Sequence, residues 1–355
     1  MKPQPTELYS HNKLNHIFNL PPKITEKYYS MRFLKSITQK LFRKQSSAHI
    51  SSVSSPSIVI KVPVSKWKRA HTWGDYHMAV LLGEQLEQLG YQVLLQSIPE
   101  WHNDEGMLYD ATIIFRGKTP YRVNPKQINI MWHISHPDDI PLDEYEAYDK
   151  VFIASDYWSR KIKEQISTPV ETMLQCSDLK RFHPPSPAEK REHHQQLLFV
   201  GNSRKIHRKI LKDLLPTQYD LAVYGGHWKK LLPKQYIKGE YLANDALYKH
   251  YGSADILLND HWDDMREKGF ISNRIFDGLA CGAFILSDKV NEMGELQEFV
   301  CTYDTPEELQ QKIDYYINHP EERQRIAEMG MEYVAKHHTF TQRAKQFSDS
   351  IQALR

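Results

Sequence analysis

Residues 57–97 run SIVIKVPVSKWKRAHTWGDYHMAVLLGEQLEQLGYQVLLQS, and segments of different period follow one another within them. SIVIKVPV is an apolar, β-branched run of strand type. From about Tyr76 to Leu89, the residues Ala79, Leu82, Leu86 and Leu89 share one face of a helix. Gly90 ends that helix, and YQVLLQ resumes as a strand. Strand, helix and strand in this order imply a parallel sheet with covered faces.

The alternation continues outward from this unit. ATIIFRG, INIMWHIS and KVFIAS are further strands, and the polar stretch PPSPAEKREHHQQ reads as a linker between two domains. Beyond it LLFVG is a strand, followed by a helix to about Leu215. The strands DLAVYGG and ADILLN come next, then a helix near Asn273–Ala280 and the strand AFILSD. Two marked helices close the chain. Thr305, Pro306 and Glu308 supply an N-cap, a proline at the first helical position and a capping-box glutamate. Thr339 and Gln342 repeat the capping pattern before Phe347, Ile351 and Leu354. The fold class expected is α/β, two doubly wound halves in tandem, with a ligand in the cleft at the carboxyl ends of the strands.

Composition narrows the function. A chain of 355 residues suits two domains. The net charge is only +2, yet residues 1–55 carry nine Lys/Arg against two Asp/Glu, which leaves 37 against 42 in the rest. A nucleic-acid binder would be basic throughout, so no nucleic-acid partner is expected. The leader ends in the linker-like SSAHISSVSSPS. Within it Phe33, Leu34, Ile37 and Leu41 recur at helical spacing among Arg32, Lys35, Lys40, Arg43 and Lys44. Such a helix over 28–44 can lie on an anionic membrane, the alternative being a solvated tail. No apolar run reaches about 18 residues, so no spanning helix is expected. The N-terminus lacks the apolar core of a secretory signal. Cys176, Cys281 and Cys301 lie far apart, which argues for a reducing compartment and against a disulfide framework. A cytoplasmic protein is expected, with contact at the inner face of the membrane through its leader.

Three segments, taken together, resemble the family 4 group of GT-B glycosyltransferases, and within it the CgeB-like spore-maturation branch. They are Trp73-Gly74-Asp75-Tyr76-His77 with its helix and LGYQV, Ser177-Asp178-Leu179-Lys180-Arg181-Phe182-His183-Pro184, and Asn273-Arg274-Ile275-Phe276-Asp277-Gly278-Leu279-Ala280-Cys281-Gly282. The tail TPEELQQKIDYYINHPEERQRIAEMG is similar to the family's closing helices. The resemblance implies GT-B architecture, two Rossmann-like domains facing across a cleft. The leader would cover 1–55, an acceptor-side domain 56–184 and a nucleotide-sugar domain 185–338, with a helix over 339–355 packing back on the first domain. It also implies transfer of a sugar from a nucleotide diphosphate donor to a glycan, lipid-linked or protein acceptor. The nucleotide sugar would be a co-substrate, with no cofactor and no metal. One departure stands out. Of the family's two donor-site glutamates, eight positions apart, the second falls at Asp277 and the first at Gly269, which has no carboxylate; Glu267 is two residues off register. Gly269 keeps open a non-catalytic nucleotide-sugar or glycan-binding module; a nucleotide-sugar epimerase is a separate alternative, against which the segments 177–184 and 273–282 count.

Breaking a bond to a diphosphate leaves negative charge on the β-phosphate, which cations and backbone amides can stabilise. Gly201-Asn202-Ser203-Arg204 follows a strand and precedes a helix, so Gly201 would admit the phosphates and Arg204 neutralise them. Lys205 and Arg208 compete for a second cationic place. Arg274 would add a bidentate contact. Asn273 opens the same helix. By resemblance Asp277 would hold the donor ribose; an Arg274–Asp277 pair within the helix is the alternative. Tyr224 and Gly225, in YGGH, are candidates for the base pocket, or form a simple turn. On the acceptor side stand Trp73, Gly74 and His133. Asp75, His77 and His136 are the candidates for catalysis, Asp75 being equally placed as a helix N-cap. His133-x-x-His136 lacks a third ligand at sensible spacing, so no metal site is expected. Trp132, Trp158 and Trp228 could stack on sugars or belong to core and rim.

Overall fold

The computed structural model describes residues 55–102 and 108–355. The basic leader and the membrane-facing segment 28–44 lie outside the described residues. β1 (Ser57–Val62), β2 (Gln92–Ser97), β3 (Ala111–Arg116), β4 (Ile128–His133), β5 (Lys150–Ile153) and β6 (Val170–Thr172) form one sheet in the order β2-β1-β3-β4-β5-β6. Every pairing in it is parallel. β7 (Gln195–Val200), β8 (Leu221–Tyr224), β9 (Ile237–Gly239), β10 (Ala254–Asn259), β11 (Ile285–Asp288) and β12 (Val300–Tyr303) form the second, in the order β12-β11-β10-β7-β8-β9. It too is parallel throughout.

Both orders are doubly wound, and each has a point where the strand sequence reverses. In the first sheet it lies between β1 and β3, in the second between β7 and β10. Loops leaving adjacent strands part company there and open a crevice. The helix Gly74–Gln88 follows β1, and its residues Met78, Ala79, Leu81, Leu82 and Leu86 cover one face of the first sheet. Phe340, Ala344, Phe347 and Ile351 of the helix Phe340–Ala353 join the same buried cluster. Thr339 and Gln342 cap that helix reciprocally. At the helix Pro306–Asn318 the Thr305 hydroxyl accepts from Glu308 N, but the Glu308 carboxylate accepts from Asp304 N, one residue before the expected cap. Within the polar linker, Pro187–Glu192 forms a helix capped by Ser186 and Glu189.

Residues 262–270 leave the second sheet and dock on the first: Met265 and Phe270 are buried with Ile114, Met131, Tyr145 and Ile153. Ser155 Oγ donates to the Lys268 carbonyl at 2.6 Å, and Lys268 pairs with Asp138. Gly269 sits inside this docking segment at φ 75°, where an added Cβ would lie 2.7 Å from the Asn291 carbonyl oxygen. The position lacks a carboxylate because it has no room for a side chain. Among the described residues no helix is long and apolar enough to cross a membrane.

Candidate active site

The loop after β7 is fastened to the loop after β8 by backbone. Gly201 N donates to the Tyr224 carbonyl at 2.8 Å and Ser203 N to that of Gly226 at 3.0 Å. The Asn202 side chain accepts from Gly226 N at 2.6 Å, and Trp228 Nε1 donates to the Gly201 carbonyl at 2.8 Å. Gly225 lies so near that a Cβ on it would stand 2.2 Å from the Gly201 oxygen. Trp228 is therefore a buried fastening and no sugar platform; Trp132, its indole bonded to the Met173 carbonyl, is buried likewise. Tyr224 is half-buried, edge-on to His250.

The next helix begins only at Lys209, so Arg204 stands on a loop and not at a helix start. Arg204 and Lys205 both take left-handed backbone, φ 58° and 67°. This turns the Arg204 guanidinium over the face of Trp262, 4.1 Å from the ring centre. Among the described residues no carboxylate lies within ion-pair distance of it. The surrounding protein, then Arg208 and Arg274, lower its pKa to about 9. Arg208 is committed elsewhere: it is buried, paired with Asp260, and bonded to the Asn202 carbonyl at 3.2 Å.

Arg274 leaves the first turn of the helix Asn273–Ala280 and lies over Phe199, 5.2 Å from the ring centre. Its Nη1 donates to Asn259 Oδ1 at 2.5 Å. Burial lowers its pKa, with Arg208 adding to the effect. Asp277 makes hydrogen bonds different from those of Arg274, although the Arg274 charge still acts on its carboxyl. Its carboxylate accepts from Ser177 Oγ at 2.7 Å and Asn273 Nδ2 at 2.9 Å, and burial pushes it up to about 7. Arg274 reaches toward the end of β10 while Asp277 holds the crossover between the sheets, so no Arg274–Asp277 ion pair forms.

From the first sheet, Trp73 occupies the N-cap position of the helix 74–88 and is half exposed. Gly74 and Asp75 are its first two residues, so Asp75 is not the cap. Burial raises the Asp75 carboxyl to about 6, while the charge of Arg204 across the cleft acts the other way. His77 points elsewhere, its Nε2 bonded to the His71 carbonyl at 2.8 Å, and burial lowers its pKa. His136, at φ 57° after β4, places Nδ1 3.8 Å from Asp264 and its ring 5.7 Å from Trp262. Burial, then Lys118, lowers it to about 4; Arg204 acts in the same direction.

His133 corrects the acceptor-side reading. It is fully buried, Nδ1 bonded to Tyr145 Oη at 2.9 Å and the ring 4.5 Å from Phe270. The last residue of a central strand points into the layer that segment 262–270 covers. Trp158, part-buried, lies there as well, bonded to Tyr145. Among the described residues no cluster of three or more His, Cys, Asp or Glu could hold a metal ion. A separate cavity of about 420 Å³, lined by Asp156, Glu295, Tyr333, His338 and Arg343, includes none of the candidate residues.

Arg204, Arg274, Asp75 and His136 thus converge where the two reversal points face one another. Trp262, Asp264 and Lys118 complete the group and were not picked out from the sequence. Lys118 lies 5.5 Å from the Trp262 ring centre. The available signal was positional: Lys118 follows ATIIFRG and Trp262 follows ADILLN, both at strand ends beside a reversal point.

The whole described architecture superposes on sucrose-phosphate synthase from Thermosynechococcus elongatus with a TM-score of 0.62, at 11% identity over 84% of this chain and 99% of that one. The fold is GT-B. A second GT-B likeness, TM-score 0.60 and 10% identity over 84% and 99% of the two chains, is to Anabaena HepE, solved in complex with UDP-glucose. Residues 201–349 match the family described as glycosyl transferase-like. This stretch carries Arg204, Trp262 and Arg274. Spore protein CgeB of Bacillus subtilis is 29% identical over 153 residues, 38% of this chain and 47% of CgeB, so the match spans about half of that relative.

Proposed function

We propose that the protein transfers a sugar from a nucleotide diphosphate donor to a glycan, lipid-linked or protein acceptor, with guanidinium groups in place of a metal. The observation that carries this reading is the pair Arg204 and Arg274. Both stand at the crevice of the second sheet with no carboxylate in ion-pair range among the described residues; the charges of Arg208 and Arg274 lower the pKa of Arg204, and that of Arg208 lowers Arg274. Three guanidinium groups with only Asp260 and the more distant Asp75 to offset them repel one another, a cost that a diphosphate relieves. Cations already in place stabilise leaving-group charge without reorganisation.

The Gly201 and Gly225 backbones and Tyr224 border the site of the nucleotide. Asp75 faces it from the first sheet; a carboxyl near 6 is suited to accept a proton from an acceptor hydroxyl at neutral pH. His136, neutral at that pH, is the second candidate. Trp73, exposed beside Asp75, offers an apolar face to the acceptor. The non-catalytic reading keeps one observation in its favour, the side-chain-free position 269. A thermal-shift series with UDP-, GDP-, ADP-, dTDP- and CDP-sugars, with and without EDTA, tests the proposal. One donor should raise Tm equally in both conditions. No shift with any of the five, or a shift that EDTA abolishes, would overturn it.

A further inference from the structure

Two neighbouring residues at the end of β10 each hold an arginine, by different chemistry. Asp260 holds Arg208 with a carboxylate, at Nε 3.2 Å from Oδ2, and neutralises it. Asn259, fully buried, holds Arg274 with an amide oxygen at 2.5 Å. A guanidinium only donates, so the amide oxygen must face Arg274 and the NH₂ must face away. That NH₂ donates to Ser287 Oγ at 2.9 Å, and Ser287 Oγ donates to Asp288 Oδ1 at 3.1 Å. Asp288 also takes His261, Nδ1 to Oδ1 at 2.7 Å, while His261 Nε2 accepts from Ser272 N at 2.9 Å. Ser272 is the residue before Arg274's helix. One buried set of hydrogen bonds therefore fixes both the start of the helix and the tip of the side chain.

We propose that Asn259 is a positioning residue that aims Arg274 at the donor diphosphate while leaving its charge whole. The inference rests on the reading of Arg274 as a diphosphate contact. An amide orients a guanidinium without cancelling it; a carboxylate at 259 would orient it equally well and spend the charge. Asp260, one residue on, shows that the strand end accommodates a carboxylate where neutralisation is tolerated.

The test is a double-variant cycle read by calorimetric titration in EDTA with inorganic pyrophosphate and with UDP, GDP, ADP, dTDP and CDP. Arg274→Ala should weaken the best diphosphate about 10- to 100-fold, the usual range for a charge-assisted contact. Asn259→Ala should weaken it about 10-fold alone and by less than about twofold when Arg274 is already Ala, because its effect passes through that side chain. Asn259→Asp keeps an oxygen on Arg274 but gives up the NH₂ that donates to Ser287, so Tm should fall modestly. The folded protein, titrated well below its Tm, should bind at least about 10-fold more weakly, a loss of affinity that a merely structural residue would not give. If Asn259→Ala misfolds, the uncharged Asn259→Ser and its Arg274→Ala double variant carry the cycle. Full effects of both substitutions in the double variant, or wild-type binding by Asn259→Asp, would overturn the positioning role alone. An unchanged affinity in Arg274→Ala would instead remove the diphosphate reading and the positioning role with it.

Discussion

Gly201 and Arg274 are fitted to one another: a Cβ on Gly201 would stand 2.8 Å from Arg274 Nη2. The guanidinium reaches Asn259 across space that residue 201 leaves open. Gly201→Ala should therefore displace Arg274. The atom met is the tip of a flexible side chain, so stability should fall by less than about 1 kcal/mol, below the usual cost of overpacking. Donor affinity should fall about 10-fold, the lower end for losing a charge-assisted contact. Titration beside a thermal melt reads both; equal affinity would show that Arg274's place does not matter to the donor.

Position 269 tests whether the missing glutamate is an accident. Gly269→Glu puts a side chain at φ 75° against the Asn291 carbonyl and Ser155 Oγ. Left-handed strain and overpacking together should cost about 2–4 kcal/mol. Urea denaturation measures this, and activity should not rise. A variant of unchanged stability and higher turnover would mean that the docking segment 262–270 is readily rearranged.

The two strand-end histidines should separate cleanly. His133→Ala removes a buried ring and one of the two hydrogen-bond partners of Tyr145 Oη, leaving the Trp158 indole as the other, so it should cost about 2–4 kcal/mol of stability while the folded fraction stays active. His136→Ala should leave the melt within about 1 kcal/mol and lower turnover by about 10²-fold or more if the imidazole takes the proton. Stability and turnover measured on both variants decide it; normal turnover in His136→Ala assigns the proton to Asp75.

Much of the architecture was legible because hydrophobic period is a local property. The segments 57–64, 76–89 and 273–280 and the Thr339 cap could be read one residue after another, and the structure has an element at each. β6 and β9 are not legible, since three residues carry too little pattern, and β12 also escapes the sequence reading although it is as long as β5, β8 and β11. Side-chain direction was the harder part. Spacing of three placed Arg274 and Asp277 together, but β10 draws one and the chain crossover the other. The sequence places His133 toward the cleft because nothing local reveals that residues 262–270 return to cover it. Trp262 and Lys118 gather only through the meeting of two sheets distant in sequence.

Asp277 should make stability depend on pH in a definite direction. Its carboxyl is raised from 3.8 to about 7 by burial, so the native state holds a proton that the unfolded state releases. Its stabilising contribution is complete below about pH 4 and is lost as pH rises through 7. Asp277→Asn, neutral at every pH, should therefore gain Tm relative to wild type on going from pH 5.5 to pH 8. A difference between the two proteins that stays constant across that interval would show that the carboxyl is not raised.

In the proposed reaction Arg274, with Arg204, bears the charge of a departing diphosphate. Turnover at saturating donor, measured in EDTA for wild type and Arg274→Ala alongside their melting temperatures, tests it most directly. Charge appears on the diphosphate as the glycosidic bond breaks, so the variant should lose about 10²–10³ in rate, roughly 3–4 kcal/mol, with little change in Tm. Arg274→Lys should recover only part, since an ammonium cannot form the two-pronged contact. Near-normal turnover in Arg274→Ala at saturating donor would show that this guanidinium carries none of the leaving-group charge.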